Sequence, residues 1–533
     1  MSVRVIVFGI DGGDWKFIDE GIREGSLPNF SKIKREGFHS ILESTIPPVT
    51  PVAWPSLFTG MNPGKTGVFG FQGKDKGDYS LSRIVNRDFF SGSCFWEILN
   101  SYGKKTYLIN LPMTYPPRKV LGGLKSGMFT PSEESESTYP EDFEVEIRET
   151  VPDYKIFTPP RTQIKKGTYF ENLLKVTGDR AQLILHLLSK KDWDLIAVNF
   201  RSTDVIGHYF LGYKLGDCEE KEKPLGANVL KVYEQIDSIL GKIMDRMDEE
   251  TIMFIVSDHG IDYWKVGEPV RVVNFHEWLS RKGFLKTKSK KVSSFFDVNK
   301  AYYWFLNRGI DLKVLLPKKV QSKAKSCVSM IDWDKSQAFL SHYSFRHGGI
   351  TINLDGREKS GSVKKEDYEN VRNSILKKLR SFKDGTGEGL VEKVWKREDI
   401  YSGDSVEVAP DIVFRLRKNY TARNTFSKHL FTNKEEYGGI HRSDGVFAAF
   451  GKPIKNGSIE NSSIQDIHPT VLKCFGVSPE NCVDGNVIPI FSSAFKTEEP
   501  VKKEKDSSRD KTERVSKKEE EKIKKRLEQL GYM

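Results

Sequence analysis

The sequence predicts an α/β fold with a mostly parallel sheet and helices on both of its faces. Short apolar runs, typical of buried strands, recur along the chain at residues 3–10, 105–110, 194–200, 251–257 and 445–450. Longer amphipathic segments at 169–189 and 228–247 lie between these runs and are typical of helices. Alternation of strands and helices in this way favours one sheet covered on both faces.

The first run indicates how the strands are used. Residues 3–10 read VRVIVFGI, an uninterrupted apolar stretch that is followed by Asp-Gly-Gly. A strand buried on both faces has this composition, and the polar turn after it indicates that its C-terminal end opens into a loop. Because parallel sheets bind ligands beyond the carboxyl ends of their strands, we expect functional residues at those ends.

A different pattern occupies the middle of the chain, residues 262–409. It predicts helices at 273–285 and 366–382, a short strand at 350–354 and an irregular lysine-rich stretch at 286–325. We interpret this region as a cap inserted into the main domain.

The insertion divides the catalytic α/β domain into a first part, residues 1–261, and a second part, residues 410–495. Residues 496–533 are dense in lysine and glutamate and have almost no apolar residues before Ile523. Because such a segment buries too little apolar surface to offset the entropy lost on ordering, we expect a flexible charged tail whose last residues can form a short helix.

Composition narrows the function classes. The net charge of +11 is spread along the 533 residues rather than collected in a basic arm, so no nucleic-acid partner is implied. Five cysteines without a C-x-x-C pair argue against a disulfide framework and fit a reducing cytosol. The apolar runs are too short for a signal peptide or a membrane span, so we expect a cytoplasmic protein with no membrane partner.

The stretch TPVAWPSLFTGMNPGKTG at residues 50–67 allows two interpretations. Its second half resembles a phosphate-binding P-loop, but Gly60 and Gly64 enclose three residues where that motif has four, and Pro63 has no N–H to donate. We interpret residues 62–65 as a surface turn. The first half, with Thr50 in a proline-rich loop, is the better candidate for chemistry.

Candidate metal ligands gather near the ends of the predicted strands. They are Asp11, Asp204, His208, Asp258, His259 and His441. If these strands share one sheet, the carboxylates crowd together and repel one another unless a cation neutralises them. Carboxylate and imidazole ligands without thiolate suit Zn²⁺ or Mn²⁺, and two such ions can hold the attacking and leaving oxygens of a phosphoryl displacement.

Each of these features alone would be a weak signal, since an aspartate after a strand is most often a turn or cap residue. The joint arrangement is what indicates a site. The remaining histidines have no comparable partners in the sequence, and we interpret them as structural: His39, His186, His276, His342, His347, His429 and His468.

In their order along the chain these motifs resemble the alkaline phosphatase superfamily, and most closely its type I phosphodiesterase/nucleotide pyrophosphatase branch. The resemblance rests on Asp11, on Thr50 in TPVAWPSLFTG, on DVIGH from Asp204, on the DHG triplet at 258–260 and on His441. It covers about residues 3–490. It implies an alkaline-phosphatase-like sheet with an inserted cap region.

The resemblance also implies roles for the candidate residues. One divalent ion would be held by Asp204, His208 and His441, and a second by Asp11, Asp258 and His259. Zn²⁺ is the expected metal, with Mn²⁺ as the alternative. Thr50 would lie between the ions as the nucleophile and form a phospho-threonine, which water then hydrolyses.

One position departs from that branch. Nucleotide pyrophosphatases usually carry a phosphoryl-binding asparagine shortly after the nucleophile, where this chain has Phe71. We therefore expect a small phosphoester substrate, while its diester or monoester character stays open. Phosphomonoesterase or phosphomutase chemistry at the same site is one alternative, and a metal-stabilised binding protein without turnover is another.

Other features of the reaction are less constrained by the sequence. A sulfatase is disfavoured because Thr50 does not begin the C/S-x-P-x-R motif of those enzymes. Arg346, Arg357 and Arg442 are candidates for bidentate contacts with substrate oxygens, although a solvent-facing role is the simpler interpretation of each. The sequence assigns no substrate-binding residue and no oligomeric state.

Overall fold

The computed structural model of the chain is built around a nine-stranded sheet, here called the central sheet. The structure describes residues 3–74, 77–79, 83–158, 166–216, 220–264, 269–288, 330–427, 429–433, 438–497, 500–502 and 515–529.

The central sheet confirms the predicted α/β architecture. From one edge to the other its strands are Gly457–Ser463, Phe38–Glu43, Asp444–Phe450, Thr251–Val256, Arg4–Ile10, Leu195–Phe200, Thr106–Leu111, Gly123–Ser126 and Thr138–Tyr139. Five neighbouring pairs are parallel and three are antiparallel. All five apolar runs form strands, but the last of them, Asp444–Phe450, is antiparallel to both of its neighbours.

Helices cover both faces of this sheet, as predicted. The helices of the described chain are Trp15–Glu24, Pro28–Glu36, Thr50–Thr59, Pro63–Thr66, Phe95–Ser101, Glu141–Thr150, Lys166–Lys190, Ser202–Leu215, Lys223–Gly226, Asn228–Met244, Phe275–Arg281, Tyr368–Arg380, Ile467–Cys474 and Lys517–Gln529. The strand Arg4–Ile10 shows why two layers are needed. Val5 and Val7 belong to one hydrophobic core, whereas Ile6, Phe8 and Ile10 belong to the other.

A second, smaller sheet lies in the region predicted to be a cap. Its four antiparallel strands, in spatial order, are Ala338–Ser344, His347–Ile352, Ile412–Leu416 and Val391–Lys396. A three-stranded sheet of Tyr420–Arg423, Arg271–Asn274 and Phe431–Asn433 shares its hydrophobic core. Two further pairs join Gly260–Asp262 to Ile440–Arg442 and Gln72–Gly73 to Arg83–Ile84. The domain limits given above stay a prediction.

Four local predictions need correction or fall outside the description. The helix expected at 273–285 is shorter, Phe275–Arg281, because the preceding Arg271–Asn274 carries two adjacent valines and pairs as a strand. Thr50 does not lie in a loop but begins the helix Thr50–Thr59. Residues 62–65 form no surface turn, since Asn62 caps the largely buried helix Pro63–Thr66. Most of the lysine-rich stretch at 286–325 lies outside the described residues.

The chain ends in a docked helix, Lys517–Gln529, in which Ile523 and Leu527 are 2% exposed. In the part of the chain that the structure describes, no helix combines the length and the apolar character that a membrane span needs.

Candidate metal centre and nucleophile

The topology of the central sheet brings the predicted ligands together. Asp11 follows the strand Arg4–Ile10, which lies between the two strands that precede Asp204 and Asp258. These three strands are parallel and in register at their ends, with Ile10 beside Phe200 and Gly9 beside Val256. Three carboxylates therefore reach the same point of the sheet edge.

The three histidines arrive from different elements. His208 lies one turn after Asp204 in the helix Ser202–Leu215, so that both side chains face the same side of that helix. His259 follows Asp258 directly. His441 lies in the strand Ile440–Arg442, which pairs with the strand after His259.

Distances between ligand atoms define two groups that share one histidine. Oxygen and nitrogen atoms of Asp204, His259 and His441 lie within 4.8 Å of one another, and so do those of Asp11, Asp258 and His259. His208 adjoins the first group, because its Nε2 lies 3.0 Å from Asp204 Oδ1 and 2.9 Å from His441 Nε2. All six predicted ligands thus meet at one place.

Hydrogen bonds to backbone carbonyls orient the histidine rings. Nδ1 of His208 lies 3.0 Å from the oxygen of Gly439, Nδ1 of His441 lies 2.9 Å from the oxygen of Pro48, and Nδ1 of His259 lies 3.1 Å from the oxygen of Gly260. A carbonyl only accepts, so each Nδ1 carries the proton. With the Nδ1 proton held by a carbonyl, each ring turns its Nε2 toward the site, the arrangement that metal-binding histidines adopt.

The donor set fits divalent cations. Asp11 Oδ1 and Asp258 Oδ2 are buried and have no hydrogen-bond partner among the described residues. The facing Nε2 lone pairs of His208 and His441 approach to 2.9 Å, a contact that needs a proton or a cation between them. Buried carboxylates left in this state cost several kcal/mol, roughly, and a bound cation removes that cost.

Electrostatics differ between the two groups. Burial and the nearby Asp204 raise the pKa of Asp11 to about 7. Burial and the carboxylates of Asp11 and Asp204 raise the pKa of Asp258 well above its usual value. Burial alone would also raise the pKa of Asp204, but the neighbouring His208 and His441 hold this pKa well below the usual value of an aspartate.

Gly12, in the loop after the first strand, lies in contact with ligands of both groups. Gly12 has a left-handed backbone (φ 64°), and its N–H donates to Asp258 Oδ1 at 3.3 Å. A Cβ atom on Gly12 would lie 2.9 Å from the Cα of Asp204. Asn199 adds an outer contact, since its Nδ2 donates to Asp11 Oδ2 at 3.0 Å.

Thr50 lies beside the shared histidine. Its side chain is 1% exposed, and its Oγ1 lies 3.5 Å from His259 Nε2. Pro51 and Gly60 explain the helix that Thr50 begins: proline is favoured in a first helical turn, and Gly60, left-handed at φ 69°, ends the helix. These two residues were the signal from which the helix could have been predicted.

The structure also places a positively charged side chain, Arg201, near the ligands, which the sequence did not indicate. Arg201, the residue before the helix Ser202–Leu215, places its guanidinium 3.8 Å from Asp204 Oδ2, and its charge counteracts the rise in the pKa of Asp11. The three arginines considered from the sequence are engaged elsewhere: Arg346 with Glu392 and the oxygen of Leu416, Arg357 with Asp411, and Arg442 with Asp444.

A cavity of about 320 Å³ adjoins the centre. It lies between residues 69–72, which include Phe71, and the second sheet, and aromatic side chains such as Tyr79, Trp333 and Phe339 line it. Pro47 lines the cavity next to Pro48, whose oxygen holds His441, and the neighbouring Phe345 ring lies 4.4 Å from the His441 ring. His347, interpreted as structural, lines the cavity as well.

The chain is similar to a known protein family and, in its fold, to solved structures. The model of the type I phosphodiesterase/nucleotide pyrophosphatase family matches residues 5–444, most of the chain. Two solved structures of murine ectonucleotide pyrophosphatase/phosphodiesterase 5 are similar at 14% sequence identity, one of them an inactive threonine-to-alanine variant in complex with AMP. In both cases the alignment covers 90% of this chain and 96% of the other, with a TM-score of 0.49. Among curated protein sequences, none matches the chain.

Proposed function

Because the chain belongs to the type I phosphodiesterase/nucleotide pyrophosphatase family, and is thus a hydrolase of the alkaline phosphatase superfamily, we propose that it cleaves phosphodiesters through a phospho-threonine on Thr50. The observation that carries this proposal is the position of Thr50 Oγ1, 3.5 Å from the histidine that both ligand groups share.

The proposed ligands divide into two sets. Asp204, His208 and His441 would hold one divalent ion, and Asp11, Asp258 and His259 the other. Zn²⁺ fits this mixture of imidazole and carboxylate, and Mn²⁺ is the alternative. Such a pair of ions supplies Lewis-acid stabilisation of the attacking and leaving oxygens.

Thr50 is proposed to act as the nucleophile. Its Oγ1 attacks phosphorus, the bond to the leaving alcohol breaks, and a phospho-threonine forms. Water then attacks the same phosphorus, which releases the phosphoryl product and restores the threonine hydroxyl. Thr50 opens a helix of ten residues, and the positive end of that helix dipole favours negative charge on the phosphoryl oxygens.

Arg201 is proposed to hold a phosphoryl oxygen. Its guanidinium lies at the rim of the ligand cluster, and a planar fork of N–H donors suits a tetrahedral phosphoryl group. Related enzymes usually bind this oxygen with an asparagine at the position of Phe71. Because Phe71 cannot donate a hydrogen bond, a positively charged side chain from another element is needed for this contact. The proposal does not require Arg346, Arg357 or Arg442.

The adjoining cavity favours a diester over a monoester. A phosphodiester carries a second organic group, and an aromatic cavity of about 320 Å³ is large enough for such a group. A diester can fill that space with one of its two organic groups and carries one negative charge fewer than a monoester dianion, which suits an apolar surface.

An activity panel on one metal-analysed preparation tests the proposal. Protein supplied with Zn²⁺ or Mn²⁺ is expected to hydrolyse bis(4-nitrophenyl) phosphate faster than 4-nitrophenyl phosphate. The variant Thr50→Ala should lose at least about 10³-fold in kcat, in line with the loss of other nucleophiles that act with a base or metal. The matched variant Thr50→Ser, which keeps a hydroxyl, should retain measurable turnover. Full activity of Thr50→Ala would refute the role of Thr50, and a faster monoester reaction would refute the diester preference.

A further inference from the structure

The C-terminal helix Lys517–Gln529 is firmly attached to the main domain. Ile523 and Leu527, one turn apart, are buried in the same hydrophobic core as the Thr50 helix. Glu519 accepts a hydrogen bond of 2.7 Å from the Tyr115 hydroxyl, and Arg526 donates one of 2.8 Å to the oxygen of Thr130. The docking therefore combines apolar burial with polar contacts along one side of the helix.

Another side of the same helix forms part of the cavity next to the metal centre. Lys524 and Glu528, again one turn apart, line that cavity opposite the second sheet. The helix lies beyond residue 444, where the family match ends. The helix is thus a part of the cavity wall that the family match does not include.

Charge distinguishes this wall from the rest of the cavity. The lining residues outside the helix are apolar, polar and uncharged, or histidine. Burial lowers the pKa of His276 to about 4 and that of His342 to about 3, so these rings are neutral at pH 7. Among the described lining residues, the formal charges at neutral pH are those of Lys524 and Glu528.

The two charges are not equivalent. Glu528 already has an interaction within the protein. Lys524 is exposed, and its ammonium group forms no hydrogen bond or ion pair with the residues that the structure describes. A lysine on a flexible four-carbon stem can follow an anionic group over several ångströms.

We propose that the C-terminal helix is the substrate-selecting wall of this cavity, where Lys524 binds an anionic group on the organic part of the phosphoester. The inference rests on the proposed function, since it assumes that the phosphoryl group occupies the adjoining metal centre. It narrows the substrate class to phosphoesters whose flat organic group carries a second negative charge away from the scissile bond.

Binding of two inert phosphonates tests the inference without turnover. Zinc-loaded full-length protein is titrated calorimetrically with phenylphosphonate and with 4-carboxyphenylphosphonate. The wild type should bind the carboxylated probe about fivefold more tightly, the size expected for a partly exposed charge pair. Lys524→Ala should bind both probes equally, and Lys524→Glu should prefer phenylphosphonate, which lacks the carboxylate.

A neighbouring lysine provides the matched control. Lys525 is also exposed but does not line the cavity, so Lys525→Ala should keep the wild-type preference. A preference that survives in Lys524→Ala, or is lost in Lys525→Ala, overturns the inference. The double variant Ile523→Asp/Leu527→Asp releases the helix and should lose the preference, with thermal unfolding as the check that the main domain stays folded.

Failure of the proposed function has a different signature. In that case metal-loaded wild type leaves bis(4-nitrophenyl) phosphate intact, whatever the two phosphonates do. If the protein hydrolyses the diester and all variants bind both probes alike, the selecting role of the helix is wrong and the proposed function stands.

Discussion

The two halves of the candidate metal centre both bury carboxylates next to histidines, but in opposite proportions. Around Asp204, one carboxylate faces His208 and His441, and its pKa is held well below the usual value. Around His259, one ring faces both Asp11 and Asp258, and the pKa of each carboxylate is raised. In metal-free protein a proton between the facing rings of His208 and His441 balances the Asp204 half, whereas the His259 half depends on a bound cation.

The largest expected effects come from replacing one carboxylate in each half. Both replacements should stop turnover, but they should change the free energy of unfolding in opposite directions. Asp258→Asn and Asp204→Asn should each abolish turnover, by about 10³-fold or more, since each removes a proposed ligand of a two-metal site. In metal-free protein, at pH values where both carboxyls are ionised, Asp258→Asn should raise the free energy of unfolding by about 1–3 kcal/mol, because it removes a buried charge that the fold opposes. Asp204→Asn should lower it by a similar amount. Urea unfolding measures both, and equal signs would contradict the comparison.

The second effect concerns Arg201, whose positive charge acts on both Asp204 and Asp11. Arg201→Ala should lower kcat/KM by about 10²-fold if its guanidinium stabilises a phosphoryl oxygen in the transition state. It should also raise the pKa of Asp11 further, because a neighbouring positive charge is lost. Arg201→Lys keeps the charge without the planar fork, so it should restore the pKa more fully than the rate. Steady-state kinetics and the pH profile of the two variants distinguish these contributions, and unchanged kinetics in Arg201→Ala would exclude the role.

The third effect concerns the hydrogen bond from Asn199 to Asp11, which belongs to the His259 half alone. Asn199→Ala removes the donor to Asp11 and should weaken metal binding about 10–100-fold at that half, with little change at the Asp204 half. Competition with a chelator, read as the amount of metal retained, measures the loss. Asn86→Ala serves as the control, since Asn86 is equally buried but holds a turn through Asp88. Metal loss of the same size in both variants would mean general destabilisation.

The smallest effect is the pH dependence of metal affinity. Asp11, with a pKa of about 7, is protonated below that pH, and a metal must displace the proton. Affinity at the His259 half should therefore fall by about tenfold per pH unit below 7 for each proton displaced. At the His259 half both Asp11 and Asp258 hold protons more tightly than usual, whereas at the Asp204 half the metal displaces only the proton between His208 and His441, so that half should respond less steeply. Chelator competition at pH 6, 7 and 8 measures both slopes.

The same pKa fixes the sign of the stability change in metal-free protein. Asp11 binds its proton more tightly in the folded state than in the unfolded chain, so it favours folding at low pH. This contribution is lost as the pH rises from about 4 to 7, and the difference between metal-loaded and metal-free protein should widen over that range. A difference that narrows would contradict the assignment.

Sequence and structure agree best where buried strands end. The run at residues 3–10 and its neighbours consist mostly of buried apolar residues, so a polar residue directly after a run, such as Asp11 or Asp258, was conspicuous. Parallel pairing then places these ends together without any knowledge of loops. His441 has a weaker local signal, since it precedes an apolar run instead of following one, and its place in the order of family motifs supported the assignment.

The features that the sequence did not reveal depend on contacts between distant segments. Arg201 looks like any charged residue after a strand, and its nearness to Asp204 follows from how the next helix begins. A short terminal helix was expected, but its polar composition, with two apolar residues at i and i+4, did not indicate where it docks. The last two residues of the strand Arg271–Asn274 fell within a predicted helix, because the pairing partners of this strand lie more than a hundred residues away.

Gly12 has a consequence for how far this site can change. A single methyl group at that position would collide with the backbone of Asp204, and the left-handed turn disfavours any side chain in any case. The approach of the first loop to Asp204 therefore depends on a missing carbon atom. Substitutions at residue 12 should yield folded proteins in which Asp204 has moved away from Asp11 and Asp258, so this position should tolerate change in folding far better than in activity.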